Sequence, residues 1–227
     1  MENEVDVING LGAAEFQEFI SGLDAAQLRK LVSQQKRLAK APVGITKGSS
    51  RDEFIKKLAL LDPQLQGELK NGSKRLADVE LYVVKSVSGG VQSKILTDDD
   101  TKVIGIGNFS RAMLEKGNVL MLDTIILLGG ANSSLTDPGD VSFGIIESKV
   151  RNGEFTFEAN GTQVVPITAL EAFNTTNLNQ RIGSFRLDNP VLVHSQVAMK
   201  FQADWKTPAT ANYWLKLILK GTMLYKK

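Results

Sequence analysis

His194 is the only histidine in 227 residues, and the chain has no cysteine. A cysteine–histidine dyad is therefore excluded, and so is a metal site built on several histidines. A Ser-His-Asp triad would need His194 as base and Ser110, Ser133 or Ser195 as nucleophile, yet no G-x-S-x-G elbow marks any of these serines. Between the apolar strand starts Val191 and Val197, His194 reads as a turn or strand-edge residue. Gly105-Ile-Gly107-Asn-Phe-Ser110 approaches a dinucleotide fingerprint, but its sixth position is serine and no alternation of strands with long helices follows. Asp98-Asp99-Asp100 and Asp137-Pro-Gly-Asp140 carry oxygen ligands of the calcium type. The first lacks the glycine and distal glutamate of an EF-hand loop, and both read as turns between strands. Glu147, Glu154, Glu158 and Glu171 could supply a glycosidase pair only if the fold brought two of them together. Glu154 and Glu158 instead fall on solvent positions of a short strand. The expectation is a chain with no catalytic residue, no metal site and no cofactor.

Two other groups of residues point to contacts rather than chemistry. Arg29, Lys30, Lys36, Arg37, Lys40, Lys47, Arg51, Lys56 and Lys57 are opposed only by Asp52 and Glu53, nine cations against two carboxylates, an excess of seven. Such a segment could touch phosphates of nucleic acid or anionic lipid without reading sequence; its alternative is a solvated helix face. No aromatic lies between Phe19 and Phe54 to stack on bases. Trp205, Tyr213 and Trp214 cluster beside one hairpin and are the candidates for aromatic contacts on a loop.

The elements that must position these residues change character near residue 77. Upstream, Phe16, Phe19, Ile20 and Leu23 keep helical spacing, and Leu28, Leu31, Val32 and Leu38 continue the stripe. Ala41–Ser50 reads as a linker. Ser50 with Glu53 forms a capping-box pattern opening a helix to about Leu61, and a short helix over Gln64–Lys70 follows Asp62-Pro63. Downstream the period becomes two. The expected strands are Asp78–Lys85, Lys102–Gly107, Val119–Leu128, Val141–Val150, Glu154–Ala159, Thr162–Ile167, Gly183–Leu187, Val191–Asp204 and Asn212–Leu224. Asn152-Gly153 and Asn160-Gly161 carry the type I′ hairpin signal, and a short helix is expected near Ser110–Lys116. The clearest alternation is at the C-terminal end. Val197, Met199, Phe201, Ala203 and Trp205 share one face, and Tyr213, Leu215, Leu217 and Leu219 share another, across the turn Thr207–Asn212. The domains expected are a helical arm or small helical domain over 1–76 and a β-sandwich over 77–227.

Composition agrees with a folded chain: 42% hydrophobic and 23% charged residues are near globular averages, which argues against general disorder. A net charge of +2 is too small to imply a nucleic-acid or membrane partner for the whole protein. The acidic start, Met1–Val7, reads as no export signal, and the apolar run Val119–Ala131, broken by Asp123 and Gly129-Gly130, is too short for a membrane helix.

Two segments together resemble the jelly-roll capsid proteins of tailless, icosahedral bacterial viruses. One is Asn108–Leu128, with a polar turn at Leu114-Glu-Lys-Gly117 leading into a long strand; the other is Phe185–Val193, entered through Leu187-Asp-Asn-Pro190, with Val197–Trp205 and a last strand ending in Leu219-Lys-Gly221. The resemblance spans roughly 77–227. It implies a mainly β, antiparallel jelly-roll β-sandwich behind an N-terminal helical arm, and a coat subunit that self-assembles into a shell around the genome. It further implies copies of itself and other capsid proteins as partners, and a virion location after assembly in the host cytoplasm. The arm would face genome or anionic lipid. A rigid brick of this kind needs no catalytic group. Two further readings stand beside it: a β-sandwich binding module for carbohydrate or a receptor, which would use Trp205, Tyr213 and Trp214, and a sandwich-fold hydrolase, which would need converging acids.

Overall fold

The computed structural model describes residues 50–132, 137–175 and 180–226. The expected helices over Ala13–Leu38 and most of the linker after them lie outside the described residues. The chain divides into two units between Gly67 and Glu68. Helix α1 (Ser50–Lys56) buries Phe54. It ends short of Leu61 because the Lys57 N–H is shared between the Glu53 and Phe54 carbonyls, at 3.2 and 3.1 Å, which tightens the chain into a 3-10 turn at Leu58–Leu60. Helix α2 (Pro63–Lys70) opens with proline where an N–H is not needed, and the Asp62 carboxylate accepts the Gln64 N–H at 2.8 Å as its cap.

Eight strands follow: β1 (Lys74–Ser86), β2 (Gln92–Lys94), β3 (Val119–Ala131), β4 (Glu154–Ala159), β5 (Thr162–Ala169), β6 (Ser184–Val193), β7 (Lys200–Asp204) and β8 (Tyr213–Lys226). They form two antiparallel four-stranded sheets, ordered β1-β8-β3-β6 and β2-β7-β4-β5. The chain is thus mainly β. The pairing is nested: β1 pairs with β8, β2 with β7, β3 with β6 and β4 with β5. The innermost turn is Asn160-Gly161, whose φ values of +54° and +71° are those a type I′ hairpin requires. The outermost pair runs in continuous register from Lys74↔Lys226 to Ser86↔Trp214.

One hydrophobic core is shared by both sheets. Leu81 and Val83 of β1, Leu120, Leu122, Ile125 and Leu127 of β3, and Leu215, Leu217 and Leu219 of β8 meet Phe155 and Phe157 of β4 and Phe201 and Ala203 of β7. Phe155 is the hub of an aromatic cluster, 4.8 Å from Phe173, 5.3 Å from Phe201 and 5.6 Å from Phe185 between ring centroids. Such contacts contribute about 0.5–1.5 kcal/mol a pair beyond burial.

Several expected elements differ. Lys102–Gly107 is no regular strand. Its Val103–Gly107 turn lies along the edge of β1, with Val84 N–H donating to Ile106 O at 2.7 Å and Asn108 N–H to Tyr82 O at 3.2 Å. The Asn108 side chain completes this edge seal, accepting from Tyr82 N–H and donating to Glu80 O. Ser110–Lys116 is not a helix because Arg111 and Ala112 sit at φ +56° and +49°. Val141–Val150 is irregular, bridged to β3 at Gly129↔Gly144, and ends in a one-turn helix α3 (Ser148–Arg151). Asn152-Gly153 therefore terminates a helix rather than making a hairpin. The run expected over Val191–Asp204 breaks at His194–Met199, where Gln196 has φ +59°. No described helix is long and apolar enough to cross a membrane.

Candidate functional site

The residues that could do chemistry are held apart, each with a local structural task. His194 is exposed at the end of β6, where its N–H donates to the Asn160 side-chain carbonyl at 3.0 Å; Asn160 in turn donates to Leu192 O at 2.6 Å. The pair ties the innermost turn to β6. The His194 imidazole makes no hydrogen bond with Ser110, Ser195 or a carboxylate among the described residues, and Ser133 lies outside them.

Most of the candidate acids are engaged in local contacts, while Glu154 faces Asp204 across the β4/β7 pair. Asp100 is buried, accepts the Thr97 N–H at 2.9 Å and hydroxyl at 3.1 Å, and forms an ion pair with Lys85. Asp137 accepts the Gly139 N–H at 2.8 Å, the Asx turn expected of it. Glu147 grips Thr210 through both carboxylate oxygens, 2.8 Å from its N–H and 2.6 Å from its hydroxyl. Glu158 pairs with Lys200 at 3.1 Å, and Glu171 accepts from Asn174 at 2.9 Å. Among the described residues no three of His, Asp and Glu are grouped to hold a metal ion. The Gly105–Ser110 stretch covers a sheet edge and leads into no helix, so it lacks the strand-to-helix geometry of a dinucleotide loop.

The contact residues divide similarly. Arg29, Lys30, Lys36, Arg37, Lys40 and Lys47 lie outside the described residues. Arg51 and Lys56 are exposed on α1, where Lys56 pairs with Glu53 at 2.8 Å, and Lys57 follows the helix. Trp205, Tyr213 and Trp214 are corrected from loop contacts to interior residues: they are only 5%, 4% and 6% exposed. The Trp205 indole N–H donates to Gly90 O at 2.8 Å, pinning the turn before β2. The Tyr213 hydroxyl accepts the Glu147 N–H at 2.6 Å. Burial pushes the Tyr213 phenol up to about 12, with the nearby Glu147 carboxylate adding to the rise and the backbone hydrogen bond opposing it. The alternation of the last two strands already carried this signal, since it set Trp205 and Tyr213 on the apolar faces. Trp214 belongs to the other face of β8, where Ile218 packs with Ile126 and Leu128, and Lys216 lies over Tyr82 and Phe143 at 4.9 and 5.4 Å.

Sequence reasoning missed a cleft of about 470 Å³ at one end of the sheets. Its wall comes from the loop before β3, including Lys102, Arg111, Glu115 and Lys116, with Gln196 and Tyr225 opposite. Leu81, Phe109 and Leu114 give it an apolar floor. The backbone here is held in costly conformations: Arg111, Ala112 and Gln196 are three of the five non-glycine residues with positive φ among those described. Each costs on the order of 1–3 kcal/mol. Tertiary bonds hold them, Arg111 N–H to Asp100 O at 2.7 Å, Met199 N–H to Ala112 O at 2.8 Å and Gln196 N–H to Leu114 O at 3.0 Å. No sequence pattern marks such residues, because two of these bonds join segments some 80 residues apart and the third reaches back across a turn to Asp100.

No family model matches the chain, and no curated protein matches it.

Proposed function

We propose that the chain is a jelly-roll coat subunit of a virus, one that assembles with copies of itself into a shell around a genome. The observation that carries this reading is the nested strand pairing. A single long antiparallel ribbon with its bend at Asn160-Gly161 gives the pairs β1/β8, β2/β7, β3/β6 and β4/β5. Wound around one core, its neighbouring coils meet as β8/β3 and β4/β7, and this pairing supports reading the two sheets as the eight-stranded, double-sheet jelly roll that shell proteins use.

Surface features support lateral packing through loops rather than uncontrolled strand addition. The outer strands β5 and β6 carry Pro166 and Pro190, which remove a ladder donor from each edge, and the β1 edge is sealed by the Val103–Gly107 turn. That turn presents Ile104 fully exposed, with Val103 and Ile106 beside it. Apolar loop tips on a rigid frame suit contacts between copies. The aromatic-loop reading has lost its residues to the core, and the hydrolase reading is left with one cross-strand pair, Glu154 opposite Asp204, both exposed on the sheet surface.

Size-exclusion chromatography with light scattering, over a range of salt and protein concentration, tests the proposal. The expected outcome is oligomers or shells, and Ile104→Asp shifts them toward smaller species. A monomer under all conditions refutes it.

A further inference from the structure

The cleft at the end of the sheets has a chemistry that neither core packing nor self-assembly uses. Lys102, Arg111 and Lys116 line it, and none of the three forms an ion pair with a described residue. Other cations, Lys94, Lys206 and Lys220 among them, likewise meet no described carboxylate, and what sets Lys102, Arg111 and Lys116 apart is that they share one lining. Glu115 is the one acid in the lining, so three cations against one carboxylate leave an excess of two. Arg75 lies over the Tyr225 ring at 4.9 Å and adds positive charge beside the cleft. The floor is apolar, and the loop that carries Arg111 is held at positive φ by bonds to Asp100 and Met199.

We propose that this cleft binds single-stranded nucleic acid, with phosphates on Lys102, Arg111 and Lys116 and a base against the apolar floor beside Tyr225. A lone carboxylate would leave two of the three cations unanswered, whereas successive phosphodiesters supply a negative charge to each. A charged groove with an aromatic ring at its side is the pattern that accepts single strands without reading sequence. The cleft falls in the size class of small-ligand pockets, which suits a nucleotide unit and not a duplex. The strained loop is where such a clamp is expected, because a fixed loop holds its cations in place before the ligand arrives. The proposal uses none of the basic residues of the Arg29–Lys57 segment and stands whether or not the chain assembles.

The test uses the full chain, a fluorescein-labelled oligothymidylate and anisotropy over a salt series. Three proteins are compared: wild type, Lys102→Gln/Arg111→Gln/Lys116→Gln, and a control with Lys94→Gln/Lys149→Gln/Lys206→Gln that removes equal charge elsewhere. The cleft variant is expected to bind at least about tenfold more weakly and to lose roughly 2 from the salt slope, at about 0.7 per phosphate contact, while the control stays within about threefold. Equal weakening in both variants, or none in either, overturns the proposal. Hydrogen exchange on the wild type supplies a readout independent of the variants' folding: the oligothymidylate should protect residues 108–118 and 194–199, and unchanged exchange there refutes the site. Inorganic phosphate and anionic phospholipid vesicles serve as further probes. Cleft-dependent vesicle binding without oligothymidylate binding would assign the cleft to lipid headgroups and overturn the nucleic-acid proposal.

Discussion

Replacing Tyr213 by phenylalanine removes one oxygen from the interior and isolates what the buried phenol does. Its hydroxyl is the acceptor for the Glu147 N–H at 2.6 Å, so Tyr213→Phe leaves a part-buried donor unpaired, at a cost of about 1–2 kcal/mol near neutral pH. The second effect is on pH dependence. Burial raises the native phenol from 10.0 to about 12, so the folded state holds its proton where the unfolded state releases it. The stabilisation from this group is present in full below pH 10 and is lost as pH rises through about 12. At pH 11 the unfolded phenol is about nine-tenths ionised and the native one about one-tenth, a tenfold ratio worth roughly 1.4 kcal/mol. Urea unfolding of both proteins at pH 8 and pH 11 measures it, since other titrating groups cancel in the difference. The gap between wild type and Tyr213→Phe is expected to close by roughly 1.4 kcal/mol at the higher pH. A gap that stays constant shows that Tyr213 titrates normally and refutes its assignment as a buried lock.

Gly221→Ala would place a Cβ 1.9 Å from the Met121 carbonyl oxygen, beside the bulge of β3, and backbone cannot yield as a side chain can. The urea midpoint is expected to fall by the equivalent of about 3 kcal/mol; a loss under about 0.5 would show that β3 and β8 are not this close. Asp100→Asn removes the partner of Lys85 and weakens the Thr97 hydrogen bonds, for a loss of about 2 kcal/mol in thermal or urea unfolding, with faster hydrogen exchange at Arg111. Glu80→Gln, by contrast, breaks the solvent-exposed pair with Arg181 and is expected to change stability by less than about 0.5 kcal/mol.

The strands that span the core were legible because their alternation is enforced by burial. Val119, Glu154, Thr162 and Tyr213 lie at or within one residue of where the period-2 pattern placed strand starts. What escaped was structure made by distant partners. β2, Gln92–Lys94, is three polar residues long and exists through its pairing with β7. Ser110–Lys116 has helical composition, yet bonds from Asp100 and Met199 hold Arg111 and Ala112 at positive φ. Asn152-Gly153 carries a hairpin signal but enters from α3, where Asn152 stays at φ −75°. Gly153 serves close packing there: a Cβ would sit 2.2 Å from Asp204 O. The same limit applied to the candidate site. Lys102, Arg111, Lys116 and Tyr225 are brought to one cleft by topology, and nothing in their spacing announces it.

Negative-stain electron microscopy of the purified full chain tests the central claim most directly. Closed particles of uniform diameter, built of many copies, are the expected result. A field of separate single subunits, unchanged by salt, protein concentration or added single-stranded nucleic acid, would contradict the coat-subunit assignment.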